Sequence, residues 1–207
     1  MGQRTPGGGP KGSSAISLPR PSIKGTVSLE EVLARRRSIR EFAEHEASLA
    51  ELGQLLWAAS GVTGSATYHR THPSAGALHP LEVYAVLPGG IYHYQPQWHS
   101  MVLTWEGDAR ADLARAALNQ WFIVQAALTV AIAAVYGRTT ARYGERGRLR
   151  YVPMDAAHAA QNVLLQSEAL GLGAVPVGAF DDDAVRRVLG LPPEEVPLYL
   201  IPVGRPR

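Results

Sequence analysis

From Ala126 to Val135 the chain runs through Ala, Leu, Val and Ile with a single Thr among them. A stretch with no polar face has to be covered on every side, as a buried strand or a buried helix. Its Val and Ile side chains fit a pleated sheet, so a buried strand is expected. No apolar run reaches the roughly 18 residues that a membrane span requires. The N-terminus lacks the apolar core of a signal peptide, which reads as a soluble, cytoplasmic chain.

The rest of the chain supplies the layers that such a strand needs. Ser28 followed by Glu31, and Ser48 followed by Glu51, have the spacing of capping boxes. They predict one helix to about Arg36 and another in which Leu52, Leu55, Leu56 and Ala59 share a face, ending at Gly61. Residues 81–87, 90–94 and 100–105 read as strands, the first two joined at Pro88-Gly89. Residues 108–120 read as a helix. Residues 138–150 (RTTARYGERGRLR) read as a solvated loop or short helix. Pro153 opens a helix to about Leu170, 174–177 is a short strand, Asp181 caps another helix, and 197–203 is the last strand. Helices and strands do not alternate regularly, which favours α+β over a doubly wound sheet. Residues 1–17, rich in Gly, Pro and Ser in their first part, read as a flexible tail before one domain spanning 18–207.

Composition narrows the chemistry. With 207 residues and no cysteine, the chain has no disulfide, thiolate nucleophile, iron–sulfur cluster or thiolate-rich zinc site. Redox chemistry would therefore need an organic cofactor. A net charge of +2 with no aromatic interleaving of the basic run argues against nucleic acid. His69 and His72 are poorly spaced for zinc and have no acid or cysteine beside them, so no metal is expected. Gly171 to Gly178 has the glycines of a dinucleotide loop, but it follows a helix and precedes a strand, the reverse of that fingerprint.

Four stretches stand out. They are the basic run Arg35-Arg36-Arg37-Ser38-Ile39-Arg40, PSAGALHPLEVYAV from Pro73, ALGLGAVPVGAFDDDAVRRVLGL from Ala169, and the ending Gly204-Arg205-Pro206-Arg207. Together they resemble the nitroreductase family of FMN-dependent oxidoreductases, over nearly everything from Leu18 onward. The resemblance implies a central, mostly antiparallel sheet flanked by helices, in an intertwined homodimer with FMN at the interface. It implies phosphate and ribityl contacts from Arg36, Arg37 and Ser38, and Arg40 beside flavin N1 and O2. Arginine suits both tasks, since its planar fork matches phosphate oxygens and its charge is permanent. Arg205, following Gly204, would close on the phosphate.

By the same resemblance, Pro73, Ser74, Ala75 and Gly76 would cross to the partner's flavin. Pro176, Val177, Gly178 and Ala179 would form the turn whose Gly178 N–H faces N5. Asp155 and His158 would reach the partner's flavin from the long helix. Many members carry Asn where this chain has Ala77. PSAGALHP, RYGERG, Gln161-Asn162 and the ending from Pro202 resemble the SagB-type dehydrogenase branch, which oxidises azolines in peptides. That branch's Lys–Tyr pair is matched by Arg150-Tyr151, and arginine is a poor base. Tyr151 and His158 are then the candidates for proton transfer. The implied function is hydride transfer through N5, with NAD(P)H as a candidate reductant and a small-molecule or peptide substrate. The other reading is a flavin- or peptide-binding module of a biosynthetic assembly with little or no turnover.

Overall fold

The computed structural model describes residues 15–64 and 69–207. Its centre is a seven-stranded sheet in the order β1-β4-β3-β2-β5-β7-β6, with every strand pair antiparallel. The strands are β1 Ile16–Ser17, β2 Leu81–Leu87, β3 Gly90–Gln95, β4 Ser100–Glu106, β5 Leu128–Val135, β6 Gly173–Ala174 and β7 Glu195–Gly204. The helices are α1 Leu29–Arg35, α2 Leu49–Ser60, α3 Arg110–Ala116, α4 Phe122–Gln125, α5 Tyr136–Arg146, α6 Val152–Ala169 and α7 Asp182–Leu189.

The apolar run is a strand, and the sheet explains its composition. β5 lies between β2 and β7 and is buried along nearly its whole length. Leu128, Val130, Ile132 and Ala134 face one layer with Leu55 and Leu56 of α2 and Ala156, Ala160 and Val163 of α6. Ala131 and Ala133 face the other layer, with Leu113 of α3, Val185 and Leu189 of α7 and Leu200 of β7. A strand covered on both faces has no position left for a polar residue to reach water.

Both capping boxes form as the sequence predicts, with Ser28 and Ser48 accepting from the N–H of Glu31 and Glu51. Asp181 caps α7 by accepting from Ala184 N at 2.7 Å. Three expectations change. Residues 1–14 of the expected tail lie outside the described residues, but Ile16 and Ser17 are a strand, because Met101 and Ser100 of β4 offer their backbone to them. The helix expected over 108–120 breaks after Ala116, where Leu118 and Asn119 take left-handed φ of 56° and 62°. The break frees Ala116 O to accept from Asp181 N at 3.0 Å and lets Gln120 Nε2 donate to Ala179 O at 2.9 Å. The strand expected over 174–177 is only two residues long plus a bridge from Val177 to Leu200, since Pro176 has no N–H to give the ladder.

Ile132 is fully buried in the middle of β5. Ile132→Ala is expected to lower stability by about 2–5 kcal/mol, read as a shift in the denaturant midpoint at unchanged m-value.

Candidate active site

The basic run lies on the edge of the sheet. Arg36 leaves α1 with an extended ψ of 124°, and the chain then crosses β6, where Ser38 bridges Ala174 and Ile39 N donates to Ala174 O at 3.1 Å. It continues past the end of β7: Ala43 N donates to Arg205 O at 2.9 Å and Arg207 N to Glu41 O at 3.1 Å. The close approach depends on two glycines. A Cβ on Gly173 would sit 2.7 Å from Ile39 Cβ, and one on Gly204 would sit 3.0 Å from Phe42 Cδ1. Residues 135 or more positions apart in the chain, Ser38 and Ala174 or Gly204 and Phe42, thus meet at one corner.

That corner collects cations. Among the described residues, Arg36, Arg40 and Arg205 form no ion pair with a carboxylate of the chain. Arg35 is different, with Nε 3.4 Å from Glu168 Oε1 of α6. Arg37 also has a local task, because its Nη1 donates to Ala34 O at 3.0 Å and Arg36 O at 2.8 Å and so caps the end of α1. The Pro176–Ala179 turn borders the same corner. Val177 exchanges both backbone hydrogen bonds with Leu200, at 2.8 and 3.0 Å, which fixes the residue after it. Gly178 is exposed, and among the described residues no backbone carbonyl accepts from its N–H.

The Pro73–Ala77 loop is built at the other end of α6. Ser74 Oγ donates to Asp155 Oδ2 at 2.7 Å and accepts from His79 N at 3.0 Å, while Ala75 N donates to Asp155 Oδ1 at 3.3 Å. Asp155 is 4% exposed. The resemblance gave it to the partner's flavin; within its own chain it anchors this loop, because two N–H or O–H donors of the loop need a buried acceptor. His158, one turn later, is exposed. Gly76 and Ala77 both take left-handed φ, 61° and 54°. Before the loop, His72 is buried, with Nδ1 3.0 Å from Pro73 O and Nε2 3.2 Å from Ser60 Oγ. A carbonyl only accepts, so Nδ1 carries the proton and Nε2 accepts from the Ser60 hydroxyl.

Over the loop lies the segment that the sequence left as solvated loop or short helix. It is α5, kinked at Gly144 (φ 55°, ψ −142°), and a π-helical turn, Gly147–Tyr151, that runs straight into α6. The Tyr143 and Tyr151 rings meet edge to face at 5.1 Å, and Arg146 Nε donates to Tyr151 Oη at 2.9 Å. Arg142, Tyr143 and Arg146 lie in the RYGERG stretch that the sequence marked by resemblance, without a role for any of them.

The comparisons with known proteins agree with this arrangement. The nitroreductase family pattern matches residues 33–205. The chain belongs to the nitroreductase family. It is 46% identical over 185 residues to a Methanocaldococcus jannaschii protein that carries a nitroreductase name, an alignment covering 86% of this chain and 91% of that one. A Ralstonia eutropha crystal structure described as a nitroreductase superposes with a TM-score of 0.85 at 31% identity, over 93% of this chain and 90% of that one. One from Anabaena variabilis gives 0.80 at 27% identity, covering all of this chain and 45% of that one. The nitroreductase-like fold is therefore shown, and the family makes the chain an oxidoreductase. Among the described residues no helix is long and apolar enough to cross a membrane.

Burial lowers His72 below its ordinary value of 6.5, against the opposing bond to Pro73 O. The folded state thus holds a neutral ring while the unfolded chain protonates near 6.5, so stability is full above that pH and falls as pH drops below it. His72→Gln is expected to flatten the loss of stability between pH 7.5 and 5.5 in urea titrations; an unchanged slope would count against the buried neutral ring.

Proposed function

We propose that this nitroreductase-family chain is an FMN-dependent oxidoreductase that works as a homodimer and passes hydride through flavin N5. The observation that carries the reading is the corner formed by the basic run, the Gly178 turn and the end of β7. It gathers three guanidiniums without a carboxylate partner and one exposed backbone donor beside two glycines that admit close approach. Those are the groups that a phosphate, a flat ring and its N5 call for. Bound there, FMN would supply the hydride chemistry.

The chain's own residues divide the remaining work. Arg36, Ser38 and Arg205 hold the phosphate, with Arg37 lending its remaining guanidinium nitrogens. Arg40 would lie toward N1 and O2, and the Gly178 N–H would orient N5 from the Pro176–Ala179 turn that Leu200 holds, with Gly204 and Arg205 at the end of the same strand. The Pro73–Gly76 loop cannot serve the same flavin. Its anchor Asp155 and the last turn of α6 before β6 are separated by about 20 Å of helix. Two copies, head to tail, bring the loop of one, with His158, to the corner of the other. An apolar groove of ≈ 440 Å³ between α1, α2 and α6, lined by Leu29, Val32, Trp57 and Leu165, with Leu33 exposed nearby, suits such packing.

The PSAGALHP and RYGERG stretches group the chain with the SagB-type branch, with NAD(P)H as reductant or a substrate C–H bond as hydride source. Proton transfer falls to Tyr151. Arg146 donates to its oxygen, so the phenolic proton is directed away from the guanidinium and toward whatever enters beside the loop.

The first test is the absorbance spectrum of the purified protein and the identity of any flavin released on denaturation, with sedimentation to count chains. Arg36→Ala with Arg205→Ala should remove most FMN affinity, since each charge-assisted phosphate bond is worth roughly 1.5–3 kcal/mol. Undiminished flavin after gel filtration would refute the phosphate assignment. Arg40→Gln should lower the two-electron midpoint potential, because a cation at N1 and O2 favours the anionic reduced ring. About 1.4 kcal/mol of differential stabilisation corresponds to roughly 30 mV. A sharp loss of affinity at unchanged potential would place Arg40 at the phosphate instead.

A further inference from the structure

Between Tyr136 and Tyr151 the chain carries Arg138, Arg142, Arg146, Arg148 and Arg150 against one acid, Glu145. Arg138 is consumed internally: it donates to His79 O at 3.1 Å and pairs with Glu82 of β2, which pins the start of α5 to the sheet. The other four are exposed and, among the described residues, form no ion pair. Elsewhere arginines do find acids, as Arg35 finds Glu168, Arg110 finds Asp108 and Arg115 finds Asp112. Arg138 and Arg142 are one helical turn apart before the kink at Gly144, so like charges share a face there, which disfavours the helix.

Three of the free guanidiniums rest on tyrosine rings: Arg142 on Tyr143 at 5.3 Å, Arg146 on Tyr151 at 5.8 Å and Arg148 on Tyr136 at 5.8 Å. Such contacts hold the guanidiniums beside the rings without neutralising them, and N–H groups remain for a carboxylate or phosphate. The surface adjoins the candidate site. A Cβ on Gly76 would lie 2.7 Å from Tyr143 Oη and 3.2 Å from Arg142 Nη1, and Tyr151 touches Tyr143. The π-turn that carries Arg148 and Arg150 is a form of helix frequent at functional sites.

We infer that the site selects an anionic ligand, a carboxylate or phosphate, and that α5 reads its charge through Arg142 and Arg146. The inference deepens the oxidoreductase reading and rests on the Pro73–Gly76 loop bordering the reaction site. One chemistry has two sources here, the carboxylate of an oxidising substrate or the phosphate of a dinucleotide donor.

The probes are benzoate and its neutral isostere benzamide, with dissociation constants taken by calorimetry on the dimer as purified. Benzoate is expected to bind about tenfold or more tightly than benzamide. The difference should close in Arg142→Gln/Arg146→Gln and in 1 M salt, where the screening length is about 3 Å. Arg187→Gln, which removes an exposed cation from α7, should leave it unchanged. Equal affinities in the unaltered protein, or a preference that survives the double variant, overturns the inference. If the double variant also loses benzamide binding, Arg142→Gln alone gives the same readout, since that side chain makes no hydrogen bond among the described residues. Titration with NADP+ and NAD+ then assigns the source: weakened NADP+ binding in the double variant points to the donor's phosphate, and an effect confined to benzoate points to the substrate's carboxylate. Flavin content is recorded on the same preparation. Colourless protein that still prefers benzoate would sink the flavin reading alone, and yellow protein with equal affinities would sink this inference alone.

Discussion

β5 is enclosed on four sides, by a helical layer on each face and a paired strand along each edge. That enclosure decides where chemistry can sit. Polar groups are driven from the middle of the sheet to its two ends, and α6 spans the distance between them. At one end the basic run crosses β6 and the tail of β7. At the other, the Pro73–Ala77 loop hangs from the first turn of α6. Within one chain α6 keeps these two places apart, and it is the proposed homodimer that would bring one copy's loop to the other copy's corner.

Much of this was legible in the residues. The apolar run, the two Ser–x–x–Glu boxes and Asp181 are local signals whose physics is complete within a few positions, and each forms as read. Where tertiary contacts decide, the sequence fell short. Residues 108–120 look helical, yet Leu118 and Asn119 turn left-handed so that Ala116 and Gln120 can hold the segment around Ala179. Asp155 was read only through the family resemblance, because nothing local in the sequence shows that Ser74 and Ala75, eighty residues away, bond to it. The arginine-rich stretch is a helix with exposed arginines, within what its composition allowed, but composition alone cannot show that Tyr143 and Tyr151 meet edge to face or that its start is pinned through Arg138.

The Pro73–Ala77 loop shows how a strained turn is held. His72, with one ring nitrogen on Pro73 O and the other on Ser60, fixes its entry, and Asp155 fixes its middle. Two successive left-handed residues, one of them alanine, cost conformational energy that these buried bonds offset. The loop therefore presents a preformed backbone instead of one that orders on contact.

The sheet's margins carry a consequence of another kind. Its outermost strands, β1 and β6, are two residues each. β6 is further covered by Ser38, and the chain end beside it by Phe42. Exposed ladders of any length invite another chain to add a strand, the usual route to fibres and runaway assembly. Here β1 covers Ser100 and Met101 of β4 at one margin, and the segment from Ser38 to Phe42 overlies the other. An incoming strand therefore finds the β6 margin already occupied by the chain's own basic run.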